Sequence, residues 1–539
     1  MLGGMQDWPL LVGRFMDYAD TNHPRVEVVT KAVEGGIHRY TYADMHLRTR
    51  KLAQALKRLG INQGECVGTL AWNTYRHVET WYAAAGIGSI YHTINPRLFP
   101  EQLTYIVNHA EDKVLFLDLT FVPLVEAFKD KFIHIKNYVI MTDLEHMPQT
   151  RLPNVLCYEE LLNAEDGNFK WLEIDENSAC GLCYTSGTTG DPKGVLYSHR
   201  SNFLHSMIAG AKNSVEVGAN DCFMPIVPMF HANAWGVPFS AIGAGAKLVL
   251  NGPCHDPEEL QQYIIDEGVT GTAAVPTIWT GMLAYLKASG KDLGPLTNVT
   301  IGGAAAPRSM IEAFQEDYGV IVKHAWGMTE MGPLGTIGTK TREAITLSKE
   351  EWLDVQCKQG RTLLGIEMRI VDDEGVVLPC DGVAFGNLEV KGPCIVERYF
   401  KAEKSALSAD GWFDTGDVAT IDQFGFMNIT DRSKDVIKSG GEWISSIDLE
   451  NTAVNHPDIL EAAVIGISHP KWDERPLMII IPIEGKAITK EQVLEYLEGK
   501  VAKWWMPDDV IFVDEIPHTA VGKISKKTLR KQFKDYTFP

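Results

Sequence analysis

Apolar residues recur along this chain in two rhythms. Residues 41–60 set Leu52, Ala55, Leu56 and Leu59 on one side of a 3.6-residue period, with Gly60 as a stop, which predicts an amphipathic helix. Short apolar runs of strand length lie at Val114–Leu117, Tyr138–Met141, Lys247–Leu250, Thr272–Val275 and Val299–Ile301. Strands separated by helical stretches predict parallel βαβ units. The expected fold class is therefore α/β, with a large N-terminal domain of layered sheets and helices. No fixed-period repeat or low-complexity linker interrupts it before about residue 430.

Beyond that point the elements shorten and charge density rises. Ala462–Ile467, Leu477–Ile483 and Val510–Val513 read as strands. Thr489 and Gln492 have capping-box spacing ahead of Val493, Leu494, Leu497 and Val501, and Ser525 is placed to cap a final basic helix. This texture predicts a small mobile α+β domain at the C-terminal end. No Pro/Gly-rich spacer precedes it, so the expected joint is a hinge of one or two residues.

Composition narrows the picture. At 539 residues the chain is too long for one core, and 45% hydrophobic with 22% charged content is ordinary for a globular protein. A net charge of −20 argues against a nucleic-acid partner or an anionic membrane surface. No run approaches 18 apolar residues, so no stable membrane insertion is expected, and the N-terminal residues lack the pattern of a secretory signal. Nine cysteines, an odd number, fit reduced thiols and a cytoplasmic location. Cys180 and Cys183 form a CxxC with no second pair at zinc spacing, and read as strand core.

The chemistry concentrates in a few stretches. Tyr184–Val195, YTSGTTGDPKGV, follows a short buried-strand run. Gly187, Gly190 and Gly194 let the backbone turn sharply, Thr185, Ser186, Thr188 and Thr189 offer hydroxyls, and Lys193 offers a mobile cation: the makings of a polyphosphate cradle. Gly194, not Ser or Thr, follows Lys193, so this is no Walker-type loop. Gly302–Pro307, GGAAAP, closes a strand with almost no side chains, a floor on which a flat ring or acyl chain can lie. Trp326-Gly-Met-Thr-Glu330 supplies a ring able to stack on adenine, a hydroxyl and a carboxylate, and a carboxylate beside phosphate makes sense with Mg²⁺ between them. Asp417 in GWFDTGD could accept from a ribose diol. On residues alone each stretch also has an ordinary reading: a surface loop, tight strand–helix packing, a hairpin turn, a solvated charge run.

Together, and in this order, these motifs resemble those of the adenylate-forming superfamily, which contains acyl-CoA synthetases, firefly luciferase and the adenylation domains of peptide synthetases. The resemblance covers nearly the whole chain. It implies an AMP-forming acid–thiol ligase that joins a carboxylate to ATP as an acyl-adenylate and then passes the acyl group to coenzyme A. It implies catalytic roles for Lys523 (in PHTAVGKI), Glu330, Thr185 and His231, with Thr185 and Glu330 at the metal. For ATP or AMP it implies Thr185, Ser186, Gly187, Thr188, Thr189, Gly190, Lys193, Gly303, Ala304, Ala305, His324, Ala325, Trp326, Gly327, Met328, Thr329, Asp417 and Arg432. For the acyl and CoA path it implies His231, Trp235, Gly236, Gly302, Gly303, Pro333, Lys438, Gly440, Gly441, Glu442 and Trp443. Lys434 falls at the family's hinge, which divides the chain into a large domain at 1–431, a hinge at 432–434 and a small domain at 435–539.

Within the superfamily HAWGMTEMGPLG and FHANAWG look like the medium-chain branch, and more narrowly like the 3-methylmercaptopropionate–CoA ligases of dimethylsulfoniopropionate-degrading bacteria. Trp235 resembles the indole that gates the acyl channel there. General fatty-acid activation is the alternative, and a carrier-protein-dependent adenylating enzyme a distant one. Dimers are common in the family, so a homodimer is one expected assembly.

Overall fold

The computed structural model describes every residue except 2, 186–190, 433, 440–441, 519–523 and 539, and at 442–443 it describes the backbone alone. The expected strands form, two to the residue and three within one residue at an end: Val114–Leu117, Asn137–Ile140, Lys247–Leu250, Gly271–Ala274 and Asn298–Ile301. The helix expected over 41–60 spans Tyr42–Arg58. Thr41 caps it, accepting from the Asp44 N–H while the Asp44 carboxylate accepts from the Thr41 N–H.

Two large sheets carry the N-terminal part. One has nine strands. Its centre is six parallel strands in the order Ile321–Gly327, Asn298–Ile301, Gly271–Ala274, Cys222–Pro225, Lys247–Leu250 and Glu27–Lys31, and antiparallel strands finish both edges. The other has seven strands, all parallel except Gly194–Ser198, which runs antiparallel to Ala179–Tyr184 at one edge. One hydrophobic cluster joins residues of both sheets and of the helices between them. The helix Tyr75–Gly86 belongs to that layer and is buried along its whole length. Its polar residues are buried with it and are partnered: Arg76 pairs with Glu34 and Glu159, and Glu79 with Arg48.

A third sheet departs from the βαβ expectation. Glu367–Val371, Phe385–Lys391, Phe413–Ile421 and Met427–Arg432 make a four-stranded antiparallel meander without intervening helices. Its turns were visible as Asp/Gly clusters: Gly375, Gly411 and Gly425 hold φ of 81, 85 and 81°, where a side chain is strained.

Past residue 436 a fourth sheet takes Ile437–Ser439, Glu442–Ile444, Ile459–His469, Asp473–Pro482 and Asp509–Phe512. The Thr489 capping box is present and its helix runs Lys490–Leu497. Val501 lies outside it, because Glu498 leaves helical geometry and Gly499 takes φ 76°. Ser525 precedes the last helix, Lys526–Gln532, but makes no side-chain cap; its hydroxyl pairs with Thr528 Oγ1 at 2.7 Å.

Candidate functional site

Parallel strands present their carboxyl ends to one side, where an open α/β sheet places its ligands. Three expected segments leave from such ends: Thr185 after Ala179–Tyr184, Gly302 after Asn298–Ile301, and Thr329 after Ile321–Gly327. Residues 186–190 of the glycine-rich loop, including Ser186, Gly187, Thr188, Thr189 and Gly190, lie outside the described residues, but both its stems are present. The Thr185 N–H donates to the Lys193 carbonyl at 2.9 Å. Gly194 is required by packing: a Cβ there would lie 3.0 Å from Phe400 Cβ and 3.1 Å from Leu182 Cδ1.

Glu330 is buried, 8% exposed, and burial pushes its carboxyl pKa up against the pull of the Tyr399 hydroxyl, Arg432 and Lys193. Tyr399 donates its hydroxyl to Glu330 Oε1 at 2.8 Å, while the Lys193 ammonium stands 4.8 Å from the centre of the Tyr399 ring. The segment carrying Tyr399 is stitched at both ends. Val396 N–H donates to the Glu330 carbonyl and Phe400 N–H to the Gly194 carbonyl, each at 2.8 Å. The Thr329 carbonyl accepts from Tyr197 OH at 2.6 Å. Tyr399 carried no sequence signal; only the fold brings it between loop and carboxylate.

A single carboxylate such as Glu330 suits one protein contact to a phosphate-borne Mg²⁺. Among the described residues no three His, Cys, Asp or Glu side chains converge into a ready-made metal cage.

Asp417 and Arg432 face each other across neighbouring strands, with Arg432 Nε 2.8 Å from Asp417 Oδ1. Trp326 donates its indole N–H to Asp417 Oδ2 at 3.0 Å. Trp326 is 7% exposed and packs with Met331, so its ring is fixed from one side while its N–H braces Asp417. His324 is held at both ring nitrogens. Its Nδ1–H donates to the Cys357 carbonyl at 3.0 Å and its Nε2 accepts from the Ala306 N–H at 3.2 Å. Burial draws its pKa down to about 4, and the neutral ring pins the end of the Gly302–Ala305 floor.

The floor needs its glycines. A Cβ on Gly302 would lie 2.9 Å from the Ala325 carbonyl oxygen and 3.1 Å from Trp235 Cη2, and Gly303 holds φ 83°. Gly327 lets the Pro333 carbonyl approach and accept from the Met328 N–H at 3.0 Å. Trp235, half-buried, thus lays its indole on the Gly302 backbone. It sits in an unusual turn: Ala232, Asn233, Ala234 and Trp235 all have left-handed backbone before Gly236 at φ 76°. Left-handed geometry costs a residue with a Cβ about 1–2 kcal/mol. His231 is half-buried at the start of this turn.

Of the remaining expected residues, Lys438 is exposed and its N–H donates to Glu474 Oε2 at 3.0 Å. Glu442 and Trp443 are described by backbone only, in Glu442–Ile444. Lys523, Gly440 and Gly441 lie outside the described residues. A cleft of about 440 Å³ separates Ala306, Arg308 and Gln359 of the N-terminal part from Asp448, Asn451 and Trp505 of the C-terminal part. Cys180 and Cys183 are buried and free, and burial raises their thiols to about 12 and 11, so neither is poised for redox or metal work.

The stem of a glycine-rich loop on one large sheet, with a buried carboxylate and a small-residue floor after neighbouring strands of the other, fits an enzyme that activates an acid with a nucleotide. The comparisons place it: the chain belongs to the AMP-binding enzyme family, matching the family's main model over residues 16–400 and the model of the "AMP-binding enzyme C-terminal domain" over 448–523. It is 49% identical to the 3-methylmercaptopropionyl-CoA ligase of Ruegeria lacuscaerulensis over 99% of each chain. It is 46% identical to the medium-chain-fatty-acid–CoA ligase of Ectopseudomonas oleovorans, over 99% of this chain and 98% of that one. Its fold matches an anthranilate–CoA ligase solved with anthranoyl-AMP, with TM-score 0.87, 24% identity and coverage of 98% and 99%. The chain is accordingly an AMP-forming acid–thiol ligase, an acyl-CoA ligase whose co-substrates are ATP and coenzyme A.

Proposed function

We propose that this enzyme makes 3-methylmercaptopropionyl-CoA from 3-methylmercaptopropionate, by way of the acyl-adenylate, in the breakdown of dimethylsulfoniopropionate. The observation that carries this is similarity to two ligases named for that thioester, at 49% and 46% identity over 99% of this chain. The indole of Trp235 lying on Gly302 supports it, since that arrangement favours a short acid. The 46% identity to a medium-chain-fatty-acid–CoA ligase favours a second reading, general fatty-acid activation.

In this proposal residues 185–190 and Lys193 hold the phosphates, Glu330 with Thr185 holds Mg²⁺, and Mg²⁺ supplies charge neutralisation on the phosphate oxygens. Asp417 and Arg432 take the ribose side, each Asp417 oxygen having a second lone pair to accept from a ribose hydroxyl beside its Arg432 or Trp326 contact. Trp235 and the Gly302 floor bound the acyl group, and His231 borders the thiol path. Lys523 stabilises the charge that gathers when the carboxylate attacks the α-phosphorus. The small domain, 435–539, then turns at Lys434, withdrawing Lys523 and admitting the segment of Lys438, Gly440, Gly441, Glu442 and Trp443 to the pantetheine arm. We assign the enzyme to the cytoplasm, in keeping with nine free cysteines, and a homodimer is the assembly we expect from the family's habit. Among the described residues no helix is long and apolar enough to cross a membrane.

The deciding measurement is kcat/KM for 3-methylmercaptopropionate, butyrate, pentanoate, hexanoate and octanoate in CoA-dependent AMP release. The thioether acid should lead, with pentanoate (its isosteric analogue) within about 10–200-fold, since an apolar slot discriminates a methylene-sized change only that well. Octanoate ahead of the thioether acid establishes the second reading instead.

A further inference from the structure

Among the described residues, Ala232–Trp235 is the one run of consecutive non-glycine residues with left-handed backbone, at φ 44, 56, 48 and 56°. Such geometry persists only where the surroundings over-determine it. The turn's own backbone bonds include Ala234 N–H to the His231 carbonyl at 3.2 Å and Val237 N–H to the Ala234 carbonyl. A further hold comes from beneath. Asn233 is 1% exposed, and both ends of its amide are engaged, Oδ1 by the Cys183 thiol and Nδ2 by the Tyr91 hydroxyl, each at 3.2 Å. Tyr91 is itself fixed by a bond from Asn202 Nδ2 at 2.9 Å and by stacking on Trp81 at 5.1 Å.

Asparagine is the residue in this run that tolerates left-handed backbone; alanine and tryptophan do not. The far end of the turn is fixed separately. Gly236 fits against His205, whose Nδ1 would lie 2.9 Å from a Cβ there, and His205 Nε2 accepts from the Leu334 N–H at 3.0 Å. Trp235 hangs between these two anchors. Reversing the sign of its φ would turn its Cα–Cβ bond away, so the indole cannot stay on Gly302 once the turn relaxes.

We infer that Asn233, held by Tyr91, is the positioning residue that sets acyl-chain length: it keeps the turn left-handed and thereby keeps the Trp235 indole on the floor of the acyl slot. This rests on the reading above that Trp235 borders the acyl site. Neither Asn233 nor Tyr91 touches substrate in this account. Both act through the indole.

The test compares kcat/KM for butyrate and octanoate in the full-length enzyme and three variants. Trp235→Ala removes the indole. Asn233→Gly keeps left-handed backbone permissible but removes both side-chain bonds. Tyr91→Phe removes one hydroxyl and keeps the ring stack. The octanoate-to-butyrate ratio should rise about tenfold or more in each, the scale on which an apolar pocket distinguishes chain lengths. An unmoved ratio in Trp235→Ala overturns the acyl-site reading itself. A raised ratio there, with Asn233→Gly and Tyr91→Phe slowing both acids equally, overturns the positioning role alone. Tyr91→Phe decides the matter should Asn233→Gly fold poorly.

Discussion

The Tyr399 hydroxyl holds one oxygen of the Glu330 carboxylate and so orients the other. With its hydroxyl on Oε1 and its ring under the Lys193 ammonium, Tyr399 spans the phosphate loop and the proposed metal ligand. A hydrogen bond to a charged partner contributes about 1.5–3 kcal/mol, equivalent to roughly 10–100-fold in an equilibrium. Tyr399→Phe should therefore raise the Mg²⁺ concentration for half-maximal AMP release by about tenfold or more. Calorimetric binding of Mn·ATP should weaken in parallel, while metal-free ATP binding stays within about twofold. Equal weakening with and without metal would mean that Tyr399 shapes the loop generally and does not aim Glu330. The same scale explains the Trp326 result. A tryptophan beside Thr and Glu in a suspected nucleotide site reads as a stacking ring, and nothing local reveals that its N–H is committed to Asp417, 91 residues further along the chain.

Elements show the opposite balance between what sequence reveals and what it hides. Strands buried on both faces announce themselves as apolar runs, which is why Val114–Leu117 and Lys247–Leu250 are legible to the residue. The antiparallel meander of 367–432 is harder to read, because half-exposed strands mix polar and apolar positions and their pairing rests on turns. The left-handed turn at Ala232–Gly236 is invisible in sequence, since its cause is a buried amide meeting a tyrosine 142 residues away. Element ends are likewise set by single side chains, and His324 shows how one can control a whole segment. Its neutral ring accepts from Ala306, so protonation must break that bond and loosen the floor. The folded pKa, about 4, lies below the ordinary value of 6.5, so folding disfavours the proton. The stabilisation is complete above pH 6.5 and is lost as pH falls toward 4, at about 1.4 kcal/mol per pH unit for one such ring. His38, His77, His199 and His205 are drawn down to about 4 in the same way, so the acid limb of the unfolding profile should be steep. His324→Gln should be less stable than the parent at pH 7, yet lose less between pH 6.5 and 5 by roughly that single-ring slope. A parallel pH profile in the variant would show that His324 does not titrate with unfolding.

At the scale of the whole molecule, the neck between the two parts is chemically dense. Ser445 Oγ donates to the Thr430 carbonyl, and Ser446 N–H donates to Asp431 Oδ2 at 2.8 Å. Lys526 contacts Ser446 Oγ and holds Glu450 Oε1 at 2.8 Å, and Arg530 pairs with Asp435. Of these, the Ser445–Thr430 and Ser446–Asp431 bonds cross the proposed pivot at Lys434, while the Lys526 and Arg530 pairs lie wholly beyond it and brace the helix Ser446–Val454 and the segment after the pivot. A rotation there has to exchange the bonds that cross it, about 1 kcal/mol for the Ser445–Thr430 bond and about 1.5–3 kcal/mol for one to the Asp431 carboxylate. The proposed swinging of Lys523 has a consequence that a fixed lobe lacks. If the lysine serves one orientation only, its removal must divide the reaction in two. Lys523→Ala should slow acyl-adenylate formation, followed as acid-dependent pyrophosphate release, by about 100–1000-fold. The same variant should convert supplied acyl-AMP and CoA to acyl-CoA at close to the parent rate, because the transition state of that step carries no pentavalent phosphorus to stabilise. Equal losses in both half-reactions would place the lysine in a single static site. The neck bonds would then be fastenings rather than a bearing.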